Sequence, residues 1–306
     1  MSKYAIETIG LTKQYGKQKA VDNVSINVEA GKIYGLLGRN GAGKTSIMKM
    51  LLSLTSITSG EAYIFGKSIN GNQKELYSQI GSIIESPGFY PHLTGYENLQ
   101  IFAKLRGNVS KNALQNALKI VNLPYEDKKP FSKYSLGMKQ RLGIANALMN
   151  DPEILILDEP TNGLDPIGIA EMRKIIKDLS VRQGKTILIS SHQLSEMEQL
   201  VDNIGIIHNG VLLKECCMND IASVNRKHIS AEVSNAEKAV FVLEKQFNIT
   251  DYLVSEAQIR IFDLTIETSL INRAFLEASI DVNAIGINTG NLEEYFKSIT
   301  GGKGVA

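Results

Sequence analysis

The stretch "GRNGAGKTS", residues 38–46, has the form G-x-x-x-x-G-K-[ST], with Gly38, Gly43, Lys44 and Thr45 at the fixed positions. Glycines in such a run let the backbone curl so that successive N–H groups point inward, which is how a loop cradles phosphate. The lysine reaches the β- and γ-phosphates and the hydroxyl of the last position ligates Mg²⁺. Its surroundings suit that role. "GKIYGLLG" before the loop is an apolar run that predicts a buried strand, and "KTSIMKMLLSL" after it predicts a helix, whose N-terminus favours an anion. The cradle is therefore read as Gly38, Arg39, Asn40, Gly41, Ala42, Gly43, Lys44, Thr45 and Ser46, and the alternative is a Gly-rich turn that binds nothing.

A second stretch carries acids. "PEILILDEP" is a continuous apolar run that closes on Asp158 and Glu159, as a buried parallel strand does at its carboxyl end. Asp158 can hold Mg²⁺ through water beside Thr45. Glu159 is placed to draw a proton from an attacking water as general base. Two solvated acids on a surface turn are the bland alternative.

Around these motifs apolar strands alternate with helical patterns. "GEAYIFG", "IGSIIES" and "KTILISS" predict strands, "IGIAEMRKIIKDLSVRQ" and "LSEMEQLV" predict helices, and Asn209-Gly210 in "NIGIIHNGVLL" predicts a hairpin turn. The runs in the first 35 residues predict strands of a sheet ahead of the loop. Such alternation implies an α/β fold, a parallel sheet covered on both faces. From about Pro87 to Asn150 three stretches with helical spacing form an insert.

After about Asp220 the order changes to β-α-β-β-α-β, from "KHISAEVS" through "LTIETSLINRAFLEASI" to "VNAIGIN". That order predicts a small α+β domain of the ferredoxin-like split type. A last helix over "NLEEYFKSIT" has Asn291 as N-cap and Glu294 three residues on, ahead of a frayed "GGKGVA". The division expected is 1–219, with the helical subdomain at about 87–150, and 220–306.

Bulk composition limits the partners. Lys+Arg total 33 against Asp+Glu 32, a net charge of +1 that gives no basic signature, so no nucleic acid is expected. Two cysteines, Cys216 and Cys217, suit a reducing compartment; adjacent thiols can bind a soft metal, but two small residues ending a strand is the plainer reading. No apolar run approaches the ~18–20 residues that span a bilayer. The opening "MSKYAIETIG" lacks the apolar segment of a signal peptide. A cytoplasmic chain is expected, one that reaches a membrane only through a partner.

"YSLGMKQR" completes the pattern. With Ser135, Leu136, Gly137, Met138, Lys139 and Gln140 it resembles the signature of ABC-type ATPases, although Leu136 stands where that signature usually has Gly. The resemblance implies a P-loop ATPase using ATP and Mg²⁺ and paired with a second such subunit, expected to be a second copy. It implies that Ser135, Gly137 and Met138 grip the ATP held by the partner and that Asp165, in "NGLDPIG", crosses between the two. It further implies that His192 is the switch residue at the γ-phosphate, that Tyr15 stacks on adenine, and that Glu85 stands where most relatives have Gln, joining the Mg²⁺ site to the helical insert. Packing at a strand end is the ordinary role for a Tyr or a lone His. The Glu form, with "SPGFYPHLTGYENL" after it, looks like the ATPase subunits of bacitracin-resistance and lantibiotic-immunity exporters. A separate transmembrane permease is then the implied partner, at the cytoplasmic face of the cell membrane. An exporter for another substrate, and a non-transport ABC ATPase on ribosomes or DNA, are the rival expectations. Ribosomal factors of this type usually hold two cassettes and DNA-repair types a long coiled coil; this chain has one cassette and no such insertion.

Overall fold

The computed structural model describes residues 3–85, 88–107, 110–218, 220, 227–255 and 258–289, and the predicted last helix at Asn291 and Glu294 lies outside them. The chain divides into two compact units that part between residues 218 and 219.

In the first unit the early strands do not join the strand that leads to the phosphate loop. β1 (Tyr4–Tyr15), β2 (Gln18–Val24), β3 (Asn27–Glu29), β5 (Ser59–Ile64) and β6 (Lys67–Ser68) form an antiparallel sheet of order β2-β1-β5-β6, with β3 also on β1. β4 (Ile33–Leu37) belongs to a second sheet with β7 (Ile80–Ile83), β8 (Ile154–Asp158), β9 (Thr186–Ser191), β10 (Asn203–His208) and β11 (Val211–Cys217). Its order is β11-β10-β4-β9-β8-β7, parallel except for β11. Burial explains the difference. Every residue of β4, β8 and β9 is buried, as a parallel strand covered on both faces requires, whereas β1 mixes buried residues with half-buried and exposed ones. One buried cluster joins Ile6, Leu11 and Val24 of the antiparallel sheet to Leu36, Ile156 and Leu188 of the parallel one. Ile47, Met48 and Leu51 of α1 (Lys44–Leu51) belong to the same cluster.

The hairpin between β10 and β11 turns at Asn209 (φ 48°) and Gly210 (φ 80°), the two positive angles that a two-residue turn between twisted strands needs. Cys216 and Cys217 end β11 as consecutive residues in register with Ile204 and Asn203. Consecutive strand residues face opposite sides, so the two thiols do not converge on one ion.

A short helix α2 (Gln73–Tyr77), which the apolar pattern did not predict, precedes β7. The insert contains α3 (Gly95–Arg106), α4 (Lys111–Ile120) and α5 (Leu136–Leu148). α3 starts at a reciprocal cap: Thr94 Oγ1 accepts from Glu97 N at 3.2 Å, and Glu97 Oε2 accepts from Thr94 N at 2.8 Å. Those donations from the Thr94 backbone and hydroxyl hold the Glu97 carboxyl below its usual range. The first unit closes with α6 (Pro166–Gln183), whose N-cap is Asp165, and α7 (Leu194–Leu200). Among the described residues, no helix is long and apolar enough to cross a membrane.

The second unit runs β12 (Lys227–Val233), α8 (Ala236–Phe247), β13 (Tyr252–Ser255), β14 (Gln258–Ile261), α9 (Thr268–Glu277) and β15 (Val282–Thr289). Its antiparallel sheet has the order β13-β14-β12-β15, over a separate core that includes Ile229, Leu243, Ile259, Ile271 and Phe275. α9 is shorter than the periodicity of "LTIETSLINRAFLEASI" predicts. Asp263 Oδ1 accepts from both Thr265 N (2.9 Å) and Thr265 Oγ1 (2.6 Å), a local turn that takes the backbone ahead of Thr268 out of the helix.

Candidate nucleotide site

Sheet order assembles the site. β9 lies between β4 and β8, so the carboxyl ends of three adjacent parallel strands deliver the loop after Leu37, the pair Asp158–Glu159 and the segment Ser190–His192 to one edge. Carboxyl ends of parallel strands are where open α/β sheets take ligands.

The loop itself is close-packed. A Cβ on Gly38 meets the Ile207 carbonyl at 2.4 Å, and one on Gly43, at φ 107°, meets the Ala20 carbonyl at 2.5 Å. Neither position admits a side chain without moving backbone, which is the physical content of the two fixed glycines. Around Gly41 (φ 81°) a Cβ meets nothing within 4 Å. Asn40 and Gly41 are exposed at the tip, Arg39 is half-buried beside them, and Ala42 is buried. α1 starts with Lys44, Thr45 and Ser46, with no side-chain cap and no acidic residue in its first turn, a helix N-terminus left open to an anion.

Lys44 is 5% exposed. Its Nζ donates to the carbonyls of Gly38 (2.7 Å) and Arg39 (3.2 Å) and faces Glu159 Oε1 at 3.1 Å. A buried ammonium demands such acceptors, and the same demand makes it a strong anchor for phosphate oxygens. Glu159, at φ 47°, places its other oxygen, Oε2, 2.7 Å from His192 Nδ1. Thr45 Oγ1 donates to Asp158 Oδ2 at 2.8 Å, and Ser190 Oγ donates to Asp158 Oδ1 at 2.6 Å and accepts from Glu159 N at 2.9 Å. The structure thus brings Lys44, Thr45, Asp158, Glu159 and His192 into one connected set. The hydroxyl of Thr45 and the carboxylate of Asp158 are hard oxygens in contact. They fit Mg²⁺, which takes one or two protein ligands and fills its shell with water and phosphate oxygens. Among the described residues no group of three or more His, Cys, Asp or Glu is placed to hold a metal ion.

Four predicted residues stand elsewhere. Ser135 caps α5, accepting from Met138 N at 3.3 Å, with Gly137 in the first turn. Asp165 caps α6, accepting from Gly168 N at 2.8 Å. No hydrogen bond or ion pair among the described residues links Ser135, Gly137, Met138 or Asp165 to the phosphate loop. The signature instead packs on the "NGLD" turn: a Cβ on Gly163 meets Leu136 Cδ2 at 3.0 Å, so the leucine occupies space that Gly163 leaves open. Tyr15 is half-exposed at the end of β1, with Lys13 Nζ 4.8 Å from its ring centroid. Glu85, read as a residue of the metal site, is not bonded to Thr45 or Asp158; its carboxylate is taken by Lys49 Nζ at 2.7 Å.

Sequence reading passed over Ser190, Lys49, and the pair Thr161–Glu196, in which Thr161 Oγ1 donates to the buried Glu196 Oε2 at 2.5 Å. Ser190 had a signal: it is a hydroxyl next to the last residue of an apolar strand. Lys49 and Glu196 look like ordinary helix-surface charges.

Comparison with known proteins agrees with this geometry. The ABC transporter family profile matches residues 21–162. The bacitracin transport ATP-binding protein BcrA of Enterococcus faecalis is 52% identical over 303 residues, covering 99% of this chain and 98% of that protein. The lantibiotic transport ATP-binding protein SrtF of Streptococcus pyogenes is 49% identical over 205 residues, covering 67% and 87%. A dimeric ATP-binding cassette solved in a post-hydrolysis state with ADP and Pi superposes with a TM-score of 0.62 at 27% identity, covering 70% of this chain and 98% of that one. The chain belongs to the ABC transporter family, as an ATP-binding subunit that hydrolyses ATP.

Proposed function

We propose that this subunit drives export of an antimicrobial peptide, of the bacitracin or lantibiotic type, through a separate transmembrane permease. It works as a pair of identical chains held at the cytoplasmic face of the cell membrane by that permease. The observation that carries the catalytic part is the connected set Lys44–Glu159–His192 with Thr45–Asp158 beside it. The transport names of the relatives with near-complete coverage support the peptide class.

ATP is the substrate. The run Gly38–Ser46 holds its phosphates with backbone amides and Lys44, and Tyr15 offers its exposed ring to adenine. Thr45 and Asp158 would hold Mg²⁺, which would supply charge neutralisation for the phosphates. Glu159 takes the proton of the water that attacks the γ-phosphorus; the bond to the β-bridging oxygen breaks and ADP leaves. His192, hydrogen-bonded to Glu159, fixes the direction of that carboxylate. Ser135, Gly137 and Met138 do not reach the phosphate loop of their own chain, which supports a role against the ATP of a second copy, with Asp165 beside the junction.

The unit from 220 onward is a ferredoxin-like accessory domain. Its strand order, with β12 and β14 central and β13 and β15 at the edges, supports that reading. The decisive experiment is to express the chain with the membrane protein encoded beside it, in a sensitive host. Bacitracin or lantibiotic resistance that disappears with Lys44→Ala supports the proposal. Full ATPase activity with no change in resistance to either class excludes the peptide assignment.

A further inference from the structure

Lys49 and Glu85 form a pair that the chemistry above does not use. Lys49 Nζ donates to Glu85 Oε1 at 2.7 Å. Lys49 is four residues beyond Thr45 in α1, hence on the same helix face. One face of α1 therefore presents both the hydroxyl bonded to Asp158 and the ammonium that holds Glu85. On the sheet side, β7 pairs with β8 so that Ile83 lies opposite Leu157. Glu85 follows the end of β7 by two residues and Glu159 follows the end of the adjacent β8 by one. Both residues adopt left-handed backbone, φ 60° and 47°, a conformation non-glycine side chains hold only when local contacts enforce it. The side chain of Lys49 is 34% exposed and that of Glu85 is 67% exposed.

Three carboxylates, Glu85, Asp158 and Glu159, thus stand at neighbouring strand ends, and two ammonium groups answer them. Lys44 faces Glu159. Lys49 is bonded to Glu85.

We propose that Lys49 is a positioning residue that sets the Mg²⁺ requirement of the nucleotide site by competing with the cation for Glu85. Held by Lys49, the Glu85 carboxylate is neutralised and contributes little attraction to a divalent cation beside Asp158. Released, it adds a hard anionic oxygen to that site. The pair makes the subunit less avid for Mg²⁺ than its three carboxylates alone dictate. This inference rests on the assignment of Thr45 and Asp158 to Mg²⁺ made above.

The test is equilibrium binding of a fluorescent, non-hydrolysable ATP analogue to the full-length chain while Mg²⁺ is titrated. It uses wild type, Lys49→Met, Lys49→Arg, Glu85→Gln and the double variant Lys49→Met/Glu85→Gln, each checked for an unchanged melting temperature. Lys49→Met is expected to lower the half-saturating Mg²⁺ concentration about three- to fivefold, the upper range for a partly exposed ion pair. Lys49→Arg retains the pair and should behave as wild type. In the Glu85→Gln background the Lys49→Met shift should fall to half or less. An unchanged half-saturation in Lys49→Met overturns the proposal, since a merely structural ion pair leaves the metal titration where it was. An equal shift with and without Glu85 also overturns it, because Lys49 then acts by direct repulsion alone. If wild type binds the analogue equally well with and without Mg²⁺, the metal assignment itself falls, a result visible before any variant is compared.

Discussion

Lys44 Nζ lies 3.1 Å from Glu159 Oε1, in a contact where the lysine side chain is 5% exposed and the glutamate 20%. The residue that anchors phosphate and the residue that activates water are therefore in direct electrostatic contact. Glu159→Gln keeps the shape and removes the charge. Lys44 retains the Gly38 and Arg39 carbonyls as acceptors, so ATP binding should persist. Hydrolysis should slow by ~10²–10⁴-fold, the usual loss of a general base. Single-turnover hydrolysis and nucleotide retention on a desalting column check this. Turnover at the wild-type rate would remove Glu159 from the mechanism.

Lys44→Ala acts on the other side of the contact. It deletes the buried ammonium and leaves the Gly38 carbonyl without its 2.7 Å donor and Glu159 without its cation. Weak ATP binding is expected, with loss of any transport-linked phenotype, because a charge-assisted contact to phosphate is lost. Calorimetric titration with Mg²⁺·ATP is the measurement, and an affinity equal to wild type contradicts the role.

Gly38→Ala probes the backbone alone. The added Cβ meets the Ile207 carbonyl at 2.4 Å, and β10 is buried at that point, so neither side can yield cheaply. Overpacking of this kind costs ~1–3 kcal/mol. A denaturant midpoint lowered by that amount, together with weaker ATP binding, is the expected pair of results. A variant as stable as wild type, with normal binding, shows that the loop relaxes and that close packing is not why glycine stands there.

What the sequence disclosed and what it hid separate along a physical line. The phosphate loop was legible because its chemistry is backbone chemistry, written in nine consecutive residues from Gly38 to Ser46. Asp158 and Glu159 were legible because a run of apolar residues dictates a buried strand, and its carboxyl end then follows. The two-sheet division was not legible: β1 and β4 are both apolar segments within the first 37 residues, and only the partners each strand finds put them in different sheets. Glu85 shows the same limit at one side chain. The family resemblance suggested a metal-site residue; the structure shows in addition that Lys49, 36 residues away in sequence, holds the carboxylate. Nothing local to either residue records that pairing. The Leu136–Gly163 contact is hidden likewise, since the glycine gives way to a side chain from another segment.

A chain ended after Met218 offers the widest test of the two-unit division. Every residue placed at the nucleotide site, from Tyr15 to His192, precedes that point. The first unit has its own buried cluster, from Ala5 to Ile207, and the cluster around Ile229 and Phe275 contains only residues after the division. Cores that share no residue do not need one another's apolar burial to close. The shortened chain should therefore fold and bind Mg²⁺·ATP with an affinity within about threefold of the full chain, a difference of ~0.65 kcal/mol. Circular dichroism first establishes that the product is folded, and calorimetry then measures the affinity. A folded product that binds no ATP would mean that the nucleotide site depends on residues after 218, and the division into a catalytic and an accessory unit would fail. If binding survives but dimerisation with ATP is lost, the accessory unit acts on the pairing of two copies and not on the phosphate site. That outcome moves the search for its role from the nucleotide to the partner chain.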